Sequence, residues 1–172
     1  HLAAADAAIR RAERLFEEYG LQPAGPRAVG REARERRHAV ERDLGEAQAQ
    51  LERAVEGAGG GVDPHRLAIE VRLLTARSRS RELSGDYATA RRLVEAAVTL
   101  ARHLPDAARA VRLEALRVQV EIAYASGDHN AGRASVGDLL KTLAQAPAAD
   151  AIPLYVWLAE AVGRSEWVGL HD

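Results

Sequence analysis

The sequence predicts an all-α fold built from antiparallel helical hairpins packed one after another. Three observations lead there. A turn repeats, because Ser84-Gly85-Asp86-Tyr87 returns as Ser126-Gly127-Asp128-His129, 42 residues on. Pro105 and Pro147 each follow their glycine by 20 residues, and the apolar residues between them share one register. The composition is rich in alanine, leucine and arginine, with 4% aromatics and no β-branched runs, which favours helix over strand. Self-similarity at this period is the mark of stacked helical hairpins.

Punctuation assigns the elements in order. A first helix is expected from about Leu2 to Tyr19, ending at Gly20, with a Pro/Gly loop from Leu21 to Pro26. A second covers about Arg27 to Arg42 and a third about Leu44 to Glu56, before the linker Gly57-Ala58-Gly59-Gly60-Gly61. Asp63-Pro64 supplies an N-cap followed by proline at the first helical position, a strong start signal. The next helices run from Pro64 to Ser84, Asp86 to His103, Asp106 to Ser126 and Asp128 to Ala146, and the last from about Ala151 to Val162. Asp86, Asp106 and Asp128 stand where carboxylates can accept orphan backbone N–H groups. Gly85 and Gly127 stand where a left-handed residue ends a helix.

The apolar stripes repeat with the turn. Tyr87, Ala90, Val94, Ala97, Ala101 and Leu104 step by three and four, and His129, Gly132, Val136, Leu139, Leu143 and Ala146 copy them. In the helix before each turn, Ile69, Leu73, Ala76, Ser80 and Leu83 match Val111, Ala115, Val118, Ile122 and Ala125. Such stripes are the buried faces of packed helices. Ala5, Ala8, Ala12, Leu15 and Tyr19 carry the same spacing, as do Leu44, Ala47, Leu51, Ala54 and Ala58. Both are expected to be second-type helices, the kind that follows the turn, so the array is expected to begin and end mid-repeat.

At Gly85-Asp86-Tyr87-Ala88-Thr89-Ala90, with Ala97 seven further on, the chain resembles the tetratricopeptide repeat family. The second unit places Gly127, His129, Gly132 and Leu139 at the same positions, and Asp43-Leu44-Gly45-Glu46-Ala47 keeps the outline of the turn. A period of 40 to 42 exceeds the family's usual repeat of about 34. Each helix is thus longer by about one turn, as in the long-repeat arrays of bacterial multidomain regulators. The resemblance implies one domain over 1–172, a right-handed α-solenoid of about seven helices, with its best-defined repeats at 64–105 and 106–147. It also implies that the first helix of each hairpin lines a concave groove. Carried over from the two glycines, the groove positions are Arg72, Thr75, Arg79 and Glu82, then Glu114, Arg117, Glu121 and Tyr124. The expected function is non-catalytic binding of a protein or peptide within a larger bacterial regulatory protein. The alternative is a domain that senses a ligand or signal peptide in a transcriptional regulator or signalling ATPase.

Other chemistries find little support. A net charge of -1 and a pI near 6.7 provide no bulk attraction to nucleic acid or anionic lipid. Glutamates neutralise the basic stretch Arg31-Glu32-Ala33-Arg34-Glu35-Arg36-Arg37-His38, and Arg77-Ser78-Arg79-Ser80-Arg81 sits within a helical stripe. No apolar run reaches the 18 or so residues of a membrane span. There is no cysteine, no histidine pair at zinc-binding helical spacing, no phosphate loop in the glycine run and no nucleophile–base arrangement. We therefore expect no enzyme, no cofactor and no metal. His1-Leu2-Ala3-Ala4 and the absence of methionine point to an internal piece of a larger protein, with the cytoplasm as the default compartment. Ile152-Pro153-Leu154-Tyr155-Val156-Trp157-Leu158 is too apolar for one buried face, and Asp150 can cap it. It is expected to be a truncated repeat or cap, or a self-association surface anchored by Tyr155, Trp157 and Trp167.

Overall fold

The computed structural model describes residues 1–18, 31–56 and 63–163, which form helices and short turns with no strand among them. Among the described residues seven α-helices follow in order: α1 (Leu2–Glu18), α2 (Arg31–Glu56), α3 (Pro64–Leu83), α4 (Tyr87–Ala101), α5 (Arg109–Ala125), α6 (His129–Leu143) and α7 (Ala148–Gly163). The loop expected over 21–26 and the glycine linker over 57–61 lie outside the described residues.

The repeated turn is built the same way twice, and each of its three shared residues has a separate task. Gly85 and Gly127 adopt φ of 81° and 79°. Their amides donate to the carbonyls of Glu82 (2.8 Å) and Tyr124 (3.0 Å), while Asp86 and Asp128 donate to Arg81 (2.9 Å) and Ala123 (3.0 Å). These two bonds form a Schellman helix end. The hydroxyls of Ser84 and Ser126 donate to the same carbonyls of Arg81 and Ala123, at 2.8 Å. The carboxylates of Asp86 and Asp128 then cap the next helix, accepting from the amides of Thr89 (3.1 Å) and Ala131 (3.0 Å). Those amide bonds hold both carboxyls below the usual range. Asp63 caps α3 similarly, accepting from His65 at 2.9 Å, with Pro64 at the first position.

Four local expectations are corrected. The helices expected over 27–42 and 44–56 are one helix, α2, and the outline of a turn at Asp43-Leu44-Gly45 is helix interior. Val40, Leu44, Ala47 and Leu51 bury a continuous stripe across it, and one mid-helix glycine costs only about 1 kcal/mol. Asp106 is no cap for α5, because it opens a short 3-10 turn, Asp106–Ala108, and pairs instead with Arg109 at 3.5 Å. α7 begins at Ala148, so Asp150 lies within its first turn rather than before it. Finally, α1 takes the place of a first-type helix. It packs on α2 and also touches α3, just as α3 packs on α4 and touches α5.

This double contact explains why α3 and α5 bury more than one stripe. Ile69, Leu73 and Ala76 of α3 face a core shared with α1 and α2, while its Leu67 and Val71 join a core with α4, α5, α6 and α7. On α5, Val118 and Ile122 pack with Ala90 and Val94 of α4. Arg112 ties α5 to the end of α4 by donating to the carbonyls of Ala101 (3.0 Å) and Leu104. α6 approaches α5 closely at Gly132, where a Cβ would stand 2.6 Å from the Tyr124 ring. The equivalent pair one repeat earlier is Glu82 and Ala90.

Candidate functional site

On α3, Arg72, Thr75 and Arg79 step by three and four, and Glu114, Arg117 and Glu121 do the same on α5. Because α3 touches both α1 and α5, these rows share a cleft of about 380 Å³ with α1. Its walls carry Arg72, Thr75 and Arg79 from α3, Glu114 and Arg117 from α5, and Glu13 and Glu17 from α1. Phe16, Ala76 and Val111 supply apolar lining, and the exposed Ala110 stands at the start of α5.

The arginines are held by carboxylates. Arg72 grips Glu13 with two nitrogens (Nε at 3.3 Å, Nη2 at 2.5 Å) and Asp6 with Nη1. Burial opposes its charge, but the two carboxylates overcome this and raise its pKa further. Arg117 makes a fork onto Glu114 (Nε 2.8 Å, Nη2 2.7 Å) and reaches Glu121 with Nη1 at 2.5 Å. Burial pushes the Glu114 carboxyl up, yet Arg117 and Arg79 together hold it below the usual range. Arg79 bridges the two helices, with Nη2 at 3.3 Å from Glu121 and 3.5 Å from Glu114.

Five of the eight expected groove residues thus line one cleft, namely Arg72, Thr75, Arg79, Glu114 and Arg117. Glu121 closes the ionic network between Arg79 and Arg117. Three of the eight are not open polar positions. Thr75 is buried, with its hydroxyl donating to the Val71 carbonyl at 2.8 Å. Tyr124 is buried, its ring 5.9 Å from that of His129 between centroids. Glu82 is 4% exposed, and among the described residues neither of its carboxylate oxygens has a hydrogen-bond partner. Burial, reinforced by the charge of Glu121 and opposed by Arg79, pushes its pKa up to about 8. The physical reason is the same for all three: helices flanked on two sides have little surface left to expose.

Sequence reasoning missed the contribution of α1. Asp6, Glu13 and Glu17 lie seven and four residues apart, off the alanine stripe, and that spacing was the available signal. On α7, Ile152 (58% exposed), Tyr155 and Val156 form an open face at helical spacing. Trp157 points the other way, half-buried against the core, with the Arg117 guanidinium 5.6 Å from its ring centre. Trp167 lies outside the described residues. Among the described residues no helix is long and apolar enough to cross a membrane, and no group of three His, Asp or Glu side chains could hold a metal ion.

Compared with protein-family profiles, curated proteins and solved structures, the chain matches none.

Proposed function

We propose that this chain is a non-catalytic interaction module, a right-handed α-solenoid of tetratricopeptide-like hairpins within a larger cytoplasmic bacterial regulator. It binds a protein or peptide in the cleft between α1, α3 and α5. One observation carries the reading: first-type helices line a cleft whose arginines are tied down by carboxylates and whose lining includes the apolar Phe16, Ala76 and Val111. Paired side chains lose little rotamer freedom when a guest arrives, which lowers the entropic cost of binding. The repeated turn supports the hairpin architecture independently, since it sets the same helix end and helix start twice.

Selection of displayed peptides against the folded chain tests this. Peptides should be recovered that bind with a defined dissociation constant, and Ala110→Trp, which fills the cleft from its exposed rim, should abolish that binding with helicity unchanged. Binding that survives Ala110→Trp places the site elsewhere. A second reading, sensing of a small molecule, is favoured by the cleft volume, which lies in the range of ligand pockets. A thermal-shift screen separates the two, because a true ligand raises the melting temperature by mass action.

A further inference from the structure

Most of the cleft's guanidinium nitrogens are committed to carboxylates, whereas its carboxylates keep acceptor capacity. Arg72 directs Nε and Nη2 to Glu13 and Nη1 to Asp6, and Arg117 directs the same three nitrogens to Glu114 and Glu121. Arg79 is shared between Glu114 and Glu121. Arg72 and Arg117 thus point at carboxylates already in place, while Arg79 engages only Nη2 and its buried Nε has no hydrogen-bond partner among the described residues.

The carboxylates are in the opposite position. Each oxygen pair offers about four acceptor sites. Glu13 is 37% and Glu114 43% exposed at the side chain, and each accepts one arginine fork, which leaves part of its acceptor capacity unused. Glu17 is exposed on the α1 wall, and no described residue forms an ion pair with it. Phe16, Ala76 and Val111 line the same cleft and offer apolar contact but no hydrogen bond.

We propose that the occupant of the cleft is a cationic peptide segment, with a lysine or arginine that donates to Glu17, Glu13 and Glu114 and a neighbouring apolar side chain set against Phe16 and Val111. This rests on the reading of the cleft as a peptide site and narrows it to one charge class. An acidic segment would set its carboxylates beside Glu13, Glu17 and Glu114, like charge against like, whereas a basic one adds to the network without breaking it.

The test uses two peptides of identical apolar composition, one with lysines and one with glutamates at the same positions, titrated by fluorescence anisotropy at low and physiological salt. The lysine peptide should bind at least tenfold more tightly, and Glu17→Gln should narrow the gap several-fold without changing the melting temperature. Added salt should weaken the lysine peptide more than the glutamate one. Equal or tighter binding of the glutamate peptide overturns the cationic assignment and leaves the peptide site standing. Failure of both peptides overturns the peptide site itself. Spermidine binding as tightly as the lysine peptide shows that the site takes a small amine, and overturns the peptide occupant.

Discussion

Arg79 and Glu121 occupy the same position in successive repeats, 42 residues apart, and they form an ion pair with each other at 3.3 Å. A stack of equivalent helices places equivalent residues side by side, so a charge change between repeats turns a column of like residues into a bond across the interface. Arg72 and Glu114 differ in charge in the same way, yet they do not pair, because Arg72 turns to α1 instead. The register therefore offers both pairings, and the neighbouring helix selects between them.

The Arg79–Glu121 pair should be energetically coupled. Arg79 is 21% and Glu121 12% exposed at the side chain, between the exposed and the fully buried limits. Arg79→Gln or Glu121→Gln alone should cost about 1–3 kcal/mol in urea unfolding. The double variant should cost less than the sum of the two by more than about 0.5 kcal/mol. Simple additivity would show that the pair does not hold α3 to α5.

Stability should fall as pH rises across the window set by Glu82. The unfolded chain gives up this proton near 4.5, whereas the folded chain keeps it to about 8. Below the window both states are protonated and the stabilisation is fully present. Within it only the unfolded state ionises, so stability declines by up to about 1.4 kcal/mol per pH unit, and above pH 8 the loss is complete. Glu82→Gln should flatten this decline between pH 5 and 8. Denaturation curves with the same pH slope in both proteins would assign the effect to other groups.

Two glycine-to-alanine changes should act in opposite directions. Gly127 has a φ of 79° with open space around its Cβ position, so Gly127→Ala should destabilise by roughly 1–2 kcal/mol through backbone strain alone. Gly45 lies inside α2, also with open space, so Gly45→Ala should stabilise by up to about 1 kcal/mol. Loss of stability in Gly45→Ala would argue that residues 43–45 form a turn after all.

Gly132→Ala should clash with the Tyr124 ring, where the added carbon would stand 2.6–2.9 Å from three ring atoms. Overpacking of this kind costs about 1–3 kcal/mol. Tyr124→Leu should recover much of that loss in the double variant, because it removes the ring. If Tyr124→Leu makes Gly132→Ala worse, the close approach of α6 to α5 depends on something other than the ring.

Much of the local architecture was legible in the chain. The Ser-Gly-Asp turn, the Asp63-Pro64 start and the stripes of α4 could be read because each depends on residues within a few positions of one another. The same local reasoning failed at Gly45, where a tertiary stripe on α1 outweighed a weak helix breaker, and at Asp106, where a 3-10 turn intervened. It also assigned Thr75, Glu82 and Tyr124 to an open groove, since polarity was taken as a sign of exposure.

By itself, the sequence determined an all-helical chain, its repeat register and the turns that join its best two units. These follow from backbone geometry and hydrogen bonds spanning five residues or fewer. Only the tertiary structure decided which face of α1 meets α3, and hence that Glu13 and Asp6, 59 and 66 residues from Arg72, hold that arginine in place. An amphipathic helix advertises its buried stripe, but which neighbours flank that stripe depends on how whole helices pack, and no short segment encodes it.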